Sequence, residues 1–267
     1  MPIKMLDHAI AYARRGWPVF PIWWPVDIGQ CACPEGSSCS SIGKHPLVPG
    51  GHLAATSEFG QVKAWWKCWP NASIAIATGP AAGFTVLDID PDHGGQTTFS
   101  RMIKKFGRPD PTLVSLTGGG GRHVLWRWAP EHRCSQNVRP GIDVRSSGGY
   151  ILAPPSMHAS GVRYQWHEQG HPRRVRVGVA PGWIEALLRG VRTQNGTQGA
   201  IPTGPVAEGS RNRTIFQYAC RFQRQALADD DLAQQVHELN VKLCQPPLPD
   251  REVEKIISSA LRYQKGA

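Results

Sequence analysis

Three aspartates in this sequence stand where they could bind a divalent cation. Two of them, Asp88 and Asp90, end a short β-branched segment that begins at Phe84 and is followed by Pro91. Such a run predicts a strand, and because side chains alternate along a strand, both carboxylates would lie on one face. Carboxylates about 7 Å apart repel each other unless a cation lies between them. Mg²⁺ or Mn²⁺ prefers such oxygen ligands; an acidic strand end in solvent is the alternative.

The third aspartate, Asp143, lies in another segment with strand-like alternation. Ile142 and Val144 would point to one face of this strand, and Asp143 and Arg145 to the other. One face would thus carry a third acid and a cation suited to phosphate. A surface salt bridge between Asp143 and Arg145 is the simpler alternative for this pair.

A run of glycines leads into a further predicted strand. Residues 118–121 are all glycine and precede Arg122 and His123, and a strand that starts near Arg122 would place His123 and Leu125 on one face. Glycines let the backbone approach a ligand closely and leave N–H groups available for phosphate. Most glycine runs are only hairpin turns, so the Arg-His pair that follows is what points to a ligand site.

Three cysteines and a histidine indicate a separate metal site. Cys31, Cys33, Cys39 and His45 lie within fifteen residues. Cysteines separated by one residue make a strained disulfide, but both can bind one tetrahedral Zn²⁺. The spacing predicts a structural zinc site, with His52 as the alternative to His45 and free thiols as the alternative to a metal.

The composition favours a nucleic-acid partner. The 267 residues include 30 Lys and Arg against 20 Asp and Glu, which gives a formal net charge of +10 and favours a polyanion. A hydrophobic content of 40% excludes a largely disordered chain. No segment could span a bilayer, the N-terminus lacks a signal-peptide pattern, and the odd count of seven cysteines argues against a disulfide framework. We therefore expect a cytoplasmic protein without a membrane partner.

Strand-like and helical segments alternate over the first 190 residues. Residues 17–22 predict an edge strand because they include two prolines, and residues 166–179 predict a basic, hairpin-like segment. Residues 191–207 are rich in Gly, Thr, Gln and Pro and predict a linker. Residues 208–267 show three amphipathic helical patterns, which predict a small all-α domain.

Taken together, the acids, the histidine and the arginines suggest phosphoryl transfer with divalent metal. Two metal ions held by carboxylates would activate a 3′-hydroxyl and stabilise the leaving pyrophosphate. His123, with Arg122 or Arg145, would bind the triphosphate electrostatically.

These segments resemble the three motifs of the archaeo-eukaryotic primase superfamily, and most closely its bifunctional primase/polymerase branch, found in plasmids, phages and related elements. The motifs are Leu87-Asp88-Ile89-Asp90, Gly119-Gly120-Gly121-Arg122-His123 and Ile142-Asp143-Val144-Arg145. Further landmarks of that family are Gly16-Trp17-Pro18-Val19-Phe20-Pro21, Gly43-Lys44-His45-Pro46, Trp65-Trp66 and Ala153-Pro154-Pro155-Ser156. Residues 208–213, 246–248 and 252–257 are similar to the helical primase C-terminal domain often attached to that core. The number and order of these matches make the resemblance specific.

The resemblance implies an α+β fold, with an RRM-like catalytic core over residues 1–190 that carries a zinc-binding insertion at about 30–46, followed by the linker and the helical bundle. Asp88, Asp90 and Asp143 would hold Mg²⁺ or Mn²⁺, and His123 would contact the phosphates of the incoming nucleotide. Arg122, Arg145, Gly120, Gly121 and Lys44 are the other residues expected to bind the nucleotide.

The partners implied by the resemblance are single-stranded DNA template, primer–template duplex and nucleoside triphosphates. Family members are often fused to a helicase. This sequence contains no Gly-x₄-Gly-Lys-Ser/Thr motif, so a replicative helicase would be a separate protein.

Three other functions compete with this interpretation. A metal-dependent nuclease also uses clustered acids, but it needs no triphosphate site. A single-stranded DNA-binding initiator module without catalysis would explain the basic charge, but not three acids on strand faces. A replication-initiator endonuclease would need paired metal-binding histidines, and no pair of that spacing occurs.

Overall fold

The computed structural model describes residues 4–190, 204–206, 208–209, 211–224 and 229–262. The chain divides into two compact units, residues 1–192 and 193–267. The first combines sheets with helices and the described part of the second is helical, so the predicted α+β class is confirmed. Within the described residues, no helix is long and apolar enough to cross a membrane.

The first unit contains all the strands named below and the first helices. The helices are α1 (Met5–Ala13), α2 (Phe59–Cys68), α3 (Gly95–Phe106) and α4 (Gly182–Leu188). The strands are β1 (Val19–Ile22), β2 (Pro25–Asp27), β3 (Gln30–Cys31), β4 (Ser73–Ala77), β5 (Phe84–Ile89), β6 (Val114–Leu116), β7 (Arg122–Arg127), β8 (Ser135–Arg139), β9 (Ile142–Arg145), β10 (Tyr150–Leu152) and β11 (Gln165–Trp166).

A small sheet in the order β1-β4-β10 lies beside the main one. Strand β1 is at its edge, as predicted from Pro18 and Pro21, which cannot donate to a ladder on both sides. Strand β4 is central and all five of its residues are buried. A separate two-stranded sheet, β2-β3, belongs to the part of the chain that carries the three clustered cysteines, residues 25–46, which we call the cysteine-rich segment.

The main sheet has the order β11-β6-β7-β5-β9-β8 over residues 84–166. Strand β7 pairs antiparallel with both β5 and β6, so β5 and β6 run in the same direction with β7 between them and α3 connecting them. This is a split β-α-β arrangement, which is the topology that an RRM-like core requires. Strand β9 completes the centre of the sheet on the other side of β5.

The two faces of β5 pack against different apolar cores. Leu87 and Ile89 pack with α3 and α4 in one apolar core. On the opposite face, Phe84 and Val86 pack with α1, α2 and the small sheet in another core. Asp88 is the next residue on this second face. The face is therefore apolar and buried at the start of β5 and acidic at its end.

The segment 166–179 does not form the predicted hairpin. Only Gln165 and Trp166 pair with β6, and the residues that follow are turns and irregular backbone with one isolated bridge, from Gly178 to Trp126. Pro172 lacks the N–H that a ladder needs. Gly170 and Gly178 instead pack tightly against Val114 and Thr112, and Gly178 O accepts from Arg127 N at 2.8 Å, which fixes the segment against the sheet.

The second unit contains α5 (Arg211–Arg224), α6 (Asp229–Leu243) and α7 (Asp250–Arg262). Their apolar stripes form one core that includes Ile215, Leu232 and Val253. Asn240 closes the turn between α6 and α7, since its side chain donates to Leu248 O and accepts from Leu248 N, each at 2.8 Å. Most of the predicted linker, 191–203 and 207, lies outside the described residues.

Candidate active site

The sheet register brings two acids and the histidine into one row. Asp88 on β5 lies directly opposite His123 on β7 and directly opposite Asp143 on β9. Residues directly opposite each other share a face, so the row His123, Asp88, Asp143 runs across three neighbouring strands on one side of the sheet. The spacing of each segment in the sequence predicted which face each residue takes, but not this alignment.

Arg145 lies between two carboxylates of the row. Its Nη2 is 2.9 Å from Asp143 Oδ2 and 3.6 Å from Asp88 Oδ2. The salt bridge between Asp143 and Arg145 that the sequence left as an alternative is therefore present, and it extends to Asp88. Asp143 Oδ1 also accepts a hydrogen bond from Asn137 N at 2.8 Å, which orients this carboxylate.

Asp90 lies just beyond the end of β5. Its backbone N donates to Gly141 O at 2.8 Å, which holds it beside the start of β9. Its carboxylate accepts from Asp92 N at 2.9 Å and contacts His93 Nδ1 at 2.9 Å. Burial raises the pKa of Asp90, but the bonds from His93 and Asp92 outweigh burial and leave the pKa below its ordinary value. Asp90 is therefore an anion at neutral pH.

His123 is almost fully buried, and its Nε2 is 3.6 Å from Asp88 Oδ1. Burial lowers its pKa; Asp88 partly opposes this, and Arg145 and Lys44 reinforce it. The imidazole is therefore neutral at pH 7. Tyr164 lies beside it with a centroid distance of 5.9 Å.

Two adjoining clefts open on this row. The larger, about 570 Å³ in volume, is lined by residues that include Lys44, Asp88, Asp90, His123, Arg145, Tyr150, His158 and Tyr164. The smaller, about 300 Å³, is lined by Lys44, Asp88, Asp90, His93, Gln136, Asn137, Gly141, Asp143 and Arg145. Lys44, Asp88, Asp90 and Arg145 line both, so acids and cations face the same space.

The glycine run shapes the turn between β6 and β7. Gly119 and Gly121 line the larger cleft, whereas Gly120 has a φ of 82° and forms the turn itself. A Cβ on Gly121 would lie 2.6 Å from Ile89 O. Glycine at this position is therefore required by close packing against β5, in addition to any approach of a ligand.

Arg122 lies away from the row of functional side chains. It precedes His123 on β7, so strand alternation places it on the opposite face. Arg122 is not among the described residues that line the two clefts. Its predicted nucleotide contact therefore gains no support from the structure.

The carboxylates fit a hard divalent cation. Asp88 and Asp143 are like charges directly opposite each other, an arrangement that destabilises a sheet unless a cation compensates it. Arg145 supplies one such charge here. The side chains of Asp88, Asp90 and Asp143 present only oxygen donors, which suit Mg²⁺ or Mn²⁺.

The predicted zinc ligands also come together. One donor atom from each of Cys31, Cys33, Cys39 and His45 lies within 4.8 Å of the other three. His45 Nε2 is 3.5 Å from Cys31 Sγ and 3.4 Å from Cys39 Sγ; ligands of tetrahedral zinc lie about 3.6 Å apart. His45, and not the alternative His52, completes this cluster, which could bind a metal such as zinc.

Hydrogen bonding prepares one of these thiols for metal binding. Burial raises the pKa of Cys31, but N–H groups of Cys33 and Gly43 and the contact with His45 outweigh burial and bring the pKa to about 7. The thiolate is the form that binds metal, so Cys31 offers it at neutral pH.

The sequence did not mark three residues that line the larger cleft together with Lys44. They are Tyr150, His158 and Tyr164. His158 and Tyr164 contact each other edge to face, at 6.0 Å between centroids. No motif marked these residues; strand alternation through β10 would have singled out only Tyr150.

Comparison with known families agrees with this architecture and places the chain among the primases and polymerases of DNA replication. Residues 9–183 match the family described as bifunctional DNA primase/polymerase, N-terminal, and residues 201–266 match primase C terminal 1 (PriCT-1). The chain belongs to the bifunctional DNA primase/polymerase family, with a primase C-terminal domain following the core. Its substrates are accordingly DNA and nucleotides. No curated protein matches the chain.

Proposed function

We propose that this protein synthesises primers and extends DNA on a single-stranded template, by metal-dependent nucleotidyl transfer at the row His123, Asp88, Asp143. The observation that carries the proposal is the register of three strands, which aligns these residues beside a cleft of about 570 Å³. The family match supports a primase/polymerase role in replication. We extend the proposal to the replication of a plasmid, phage or related element in the cytoplasm, with a separate helicase.

Asp88, Asp90 and Asp143 would hold Mg²⁺ or Mn²⁺ in this proposal. When bound, two such ions would supply Lewis-acid activation of the primer 3′-hydroxyl and stabilisation of the leaving pyrophosphate. Asn137 N orients Asp143, and the Gly141 backbone fixes the position of Asp90. The protein thus holds its oxygen ligands in place before substrate arrives.

The cations and the histidine would bind the triphosphate. Arg145 can form bidentate hydrogen bonds with phosphate oxygens, and Lys44 faces the same cleft. His123 is neutral in the free protein and would contact phosphate by a hydrogen bond. Gly121 would contribute to the wall of the nucleotide site, and Gly120 would form the turn that supports it.

A metal-dependent nuclease is the second candidate, because the same acids could activate water. The cationic side of the cleft favours the polymerase. A triphosphate carries several negative charges, which Lys44 and Arg145 would offset while His123 donates a hydrogen bond, whereas a nuclease acts on a phosphodiester that carries a single charge.

Incubation with single-stranded DNA, labelled nucleotides and Mn²⁺ or Mg²⁺ tests the proposal. We expect labelled primers from the wild-type protein and a loss of at least about a thousandfold in Asp88→Asn, since a metal ligand contributes several kcal/mol to the transition state. Asp110→Asn, which removes an exposed acid outside both clefts, is the matched control. Degradation of the DNA without incorporation would identify a nuclease instead.

A further inference from the structure

The cysteine-rich segment ends inside the candidate active site. Lys44 directly precedes the metal-ligand candidate His45 and lines both clefts. His158 lines the larger cleft as well, and after burial the charge of Lys44 is a further cause of the lowered pKa of His158. The cluster and the cleft are therefore joined through a single residue.

Lys44 lies between two members of the cluster in the chain. Cys39 and His45 enclose it in the sequence, and His45 Nε2 lies 3.4 Å from Cys39 Sγ. The Lys44 backbone is also held by two hydrogen bonds: its N–H donates to Ser41 O at 3.0 Å, and its carbonyl oxygen accepts from Tyr150 Oη at 2.8 Å. The path of the chain at Lys44 thus depends on the geometry of the cluster.

The cysteine-rich segment has only a small core of its own, although Trp23 N donates to His45 O at 3.1 Å and Pro46 forms an isolated bridge with Ile22. Its buried apolar cluster consists of the three cysteines themselves, with Trp23 and Ile42 packed against them. Its regular structure is limited to β2, β3 and one turn of 3₁₀ helix, at residues 36–38. A bound metal would stabilise the conformation of a segment with so small a core.

The Lys44 side chain is available to a ligand. It is exposed, and within the described part of the chain its ammonium has neither an ion pair nor a hydrogen bond. A cation held on the rim of a cleft without a carboxylate partner can neutralise an incoming phosphate without first breaking a salt bridge.

We propose that the Cys₃His centre positions the Lys44 ammonium in the cleft, so that occupancy of this centre by zinc sets the affinity for the phosphates of a nucleoside triphosphate. The inference rests on the proposed function, because it takes the cleft to be the triphosphate site. It assigns the centre a part in substrate binding in addition to stabilising the fold. His45 acts as a positioning residue here, and Lys44 as the group that touches substrate.

The test is the dissociation constant of a non-hydrolysable nucleoside triphosphate with Mg²⁺, measured by calorimetry in four states. These are the wild-type protein and Lys44→Gln, each zinc-loaded and zinc-stripped with a chelator selective for zinc over magnesium, with metal content verified by elemental analysis. We expect zinc removal to weaken wild-type binding roughly tenfold, the effect of losing one charged hydrogen bond. The same removal should change Lys44→Gln by less than about twofold, because the group that zinc positions is already absent.

Two further variants complete the design. Lys67→Gln removes an exposed lysine of α2 away from both clefts and should respond to zinc as the wild type does. His45→Cys would offer four thiolates, a common structural zinc set, and should keep both the metal and the wild-type affinity.

Three outcomes would overturn the inference. Equal weakening of the wild type and Lys44→Gln would show that zinc acts on the fold as a whole, including the case in which the stripped protein unfolds. No weakening of the wild type would show that Lys44 is held without the metal. Failure of the zinc-loaded wild type to bind any triphosphate would instead refute the nucleotide site of the proposed function.

Discussion

At the scale of single residues, the chemistry depends on side chains whose face was readable from the sequence. Alternation placed Asp88 on one side of its strand and Asp143 on one side of another, and the structure shows both on the same side of one sheet. That they lie directly opposite each other could not be predicted, because strand register depends on tertiary pairing and no local pattern records it. His158 and Tyr164 were missed because they lie outside the strands and outside any motif, so only the tertiary fold brings them to the cleft.

His123→Ala should weaken nucleotide binding roughly ten- to hundredfold, because a hydrogen bond to a charged phosphate is lost from a buried position. Mn²⁺ affinity should change little, since the imidazole lies 3.6 Å from Asp88 and is not one of the proposed carboxylate ligands. Calorimetric titration with a non-hydrolysable triphosphate and, separately, with Mn²⁺ measures both.

His8→Ala is the control for this substitution, because His8 is an exposed histidine on α1. An unchanged nucleotide affinity in His123→Ala would remove His123 from the triphosphate site. His8→Ala should leave the nucleotide affinity unchanged. If it weakened nucleotide binding as much as His123→Ala does, the effect would not be local to the cleft.

At the scale of elements, the individual strands and helices were largely predictable and their packing was not. Apolar alternation identified β5, β7 and β9, and helical periodicity identified α6 and α7. The segment 166–179 was wrongly predicted as hairpin-like, since it is held by tight packing of Gly170 and Gly178 against Val114 and Thr112 and not by pairing with itself. The glycine run was interpreted as a ligand loop, yet Gly121 is needed for contact between two strands.

Gly121→Ala should destabilise the first unit by about 1–3 kcal/mol, the usual cost of forcing an extra methyl group into a packed site. The new Cβ would lie 2.6 Å from Ile89 O and 3.0 Å from Thr117 Oγ1, and the backbone oxygen cannot move without disturbing β5. Urea denaturation gives the free energy of unfolding for the comparison.

Gly119→Ala is the matched substitution in the same turn. Its Cβ would meet the His158 ring at 3.4 Å and Thr117 Oγ1 at 4.0 Å, both without severe overlap. We expect a change within about 0.5 kcal/mol. If both substitutions lowered the free energy of unfolding equally, the glycine run would tolerate no side chain at either position. That result would contradict the packing argument made for Gly121 alone.

At the scale of the whole molecule, the chain combines a primase/polymerase core with a primase C-terminal domain. The division into units over residues 1–192 and 193–267 follows separate apolar cores. The sequence predicted the boundary between the two units, since a Gly-, Thr-, Gln- and Pro-rich stretch precedes three amphipathic helical patterns. The net charge of +10 belongs to this scale too, because it favours a polyanionic partner without identifying a site.

A protein ending at residue 192 should still extend an existing primer but should start new primers far less well. We expect initiation to fall by roughly a hundredfold or more, because a tethered second module raises the effective concentration of its ligand at the core. Extension of an annealed primer starts from a preformed duplex and should fall only slightly. Parallel assays on primed and unprimed template measure the two rates, and equal losses would contradict a role of the helical domain in initiation.

The most direct measurement for the account as a whole is the position of Mn²⁺ in crystals grown with a non-hydrolysable nucleoside triphosphate. Anomalous scattering should locate Mn²⁺ within about 2.0–2.3 Å of carboxylate oxygens from Asp88, Asp90 and Asp143, with the triphosphate beside His123. Manganese bound elsewhere, with these three carboxylates holding no ion while the triphosphate is in place, would contradict the assignment of the row as the catalytic centre.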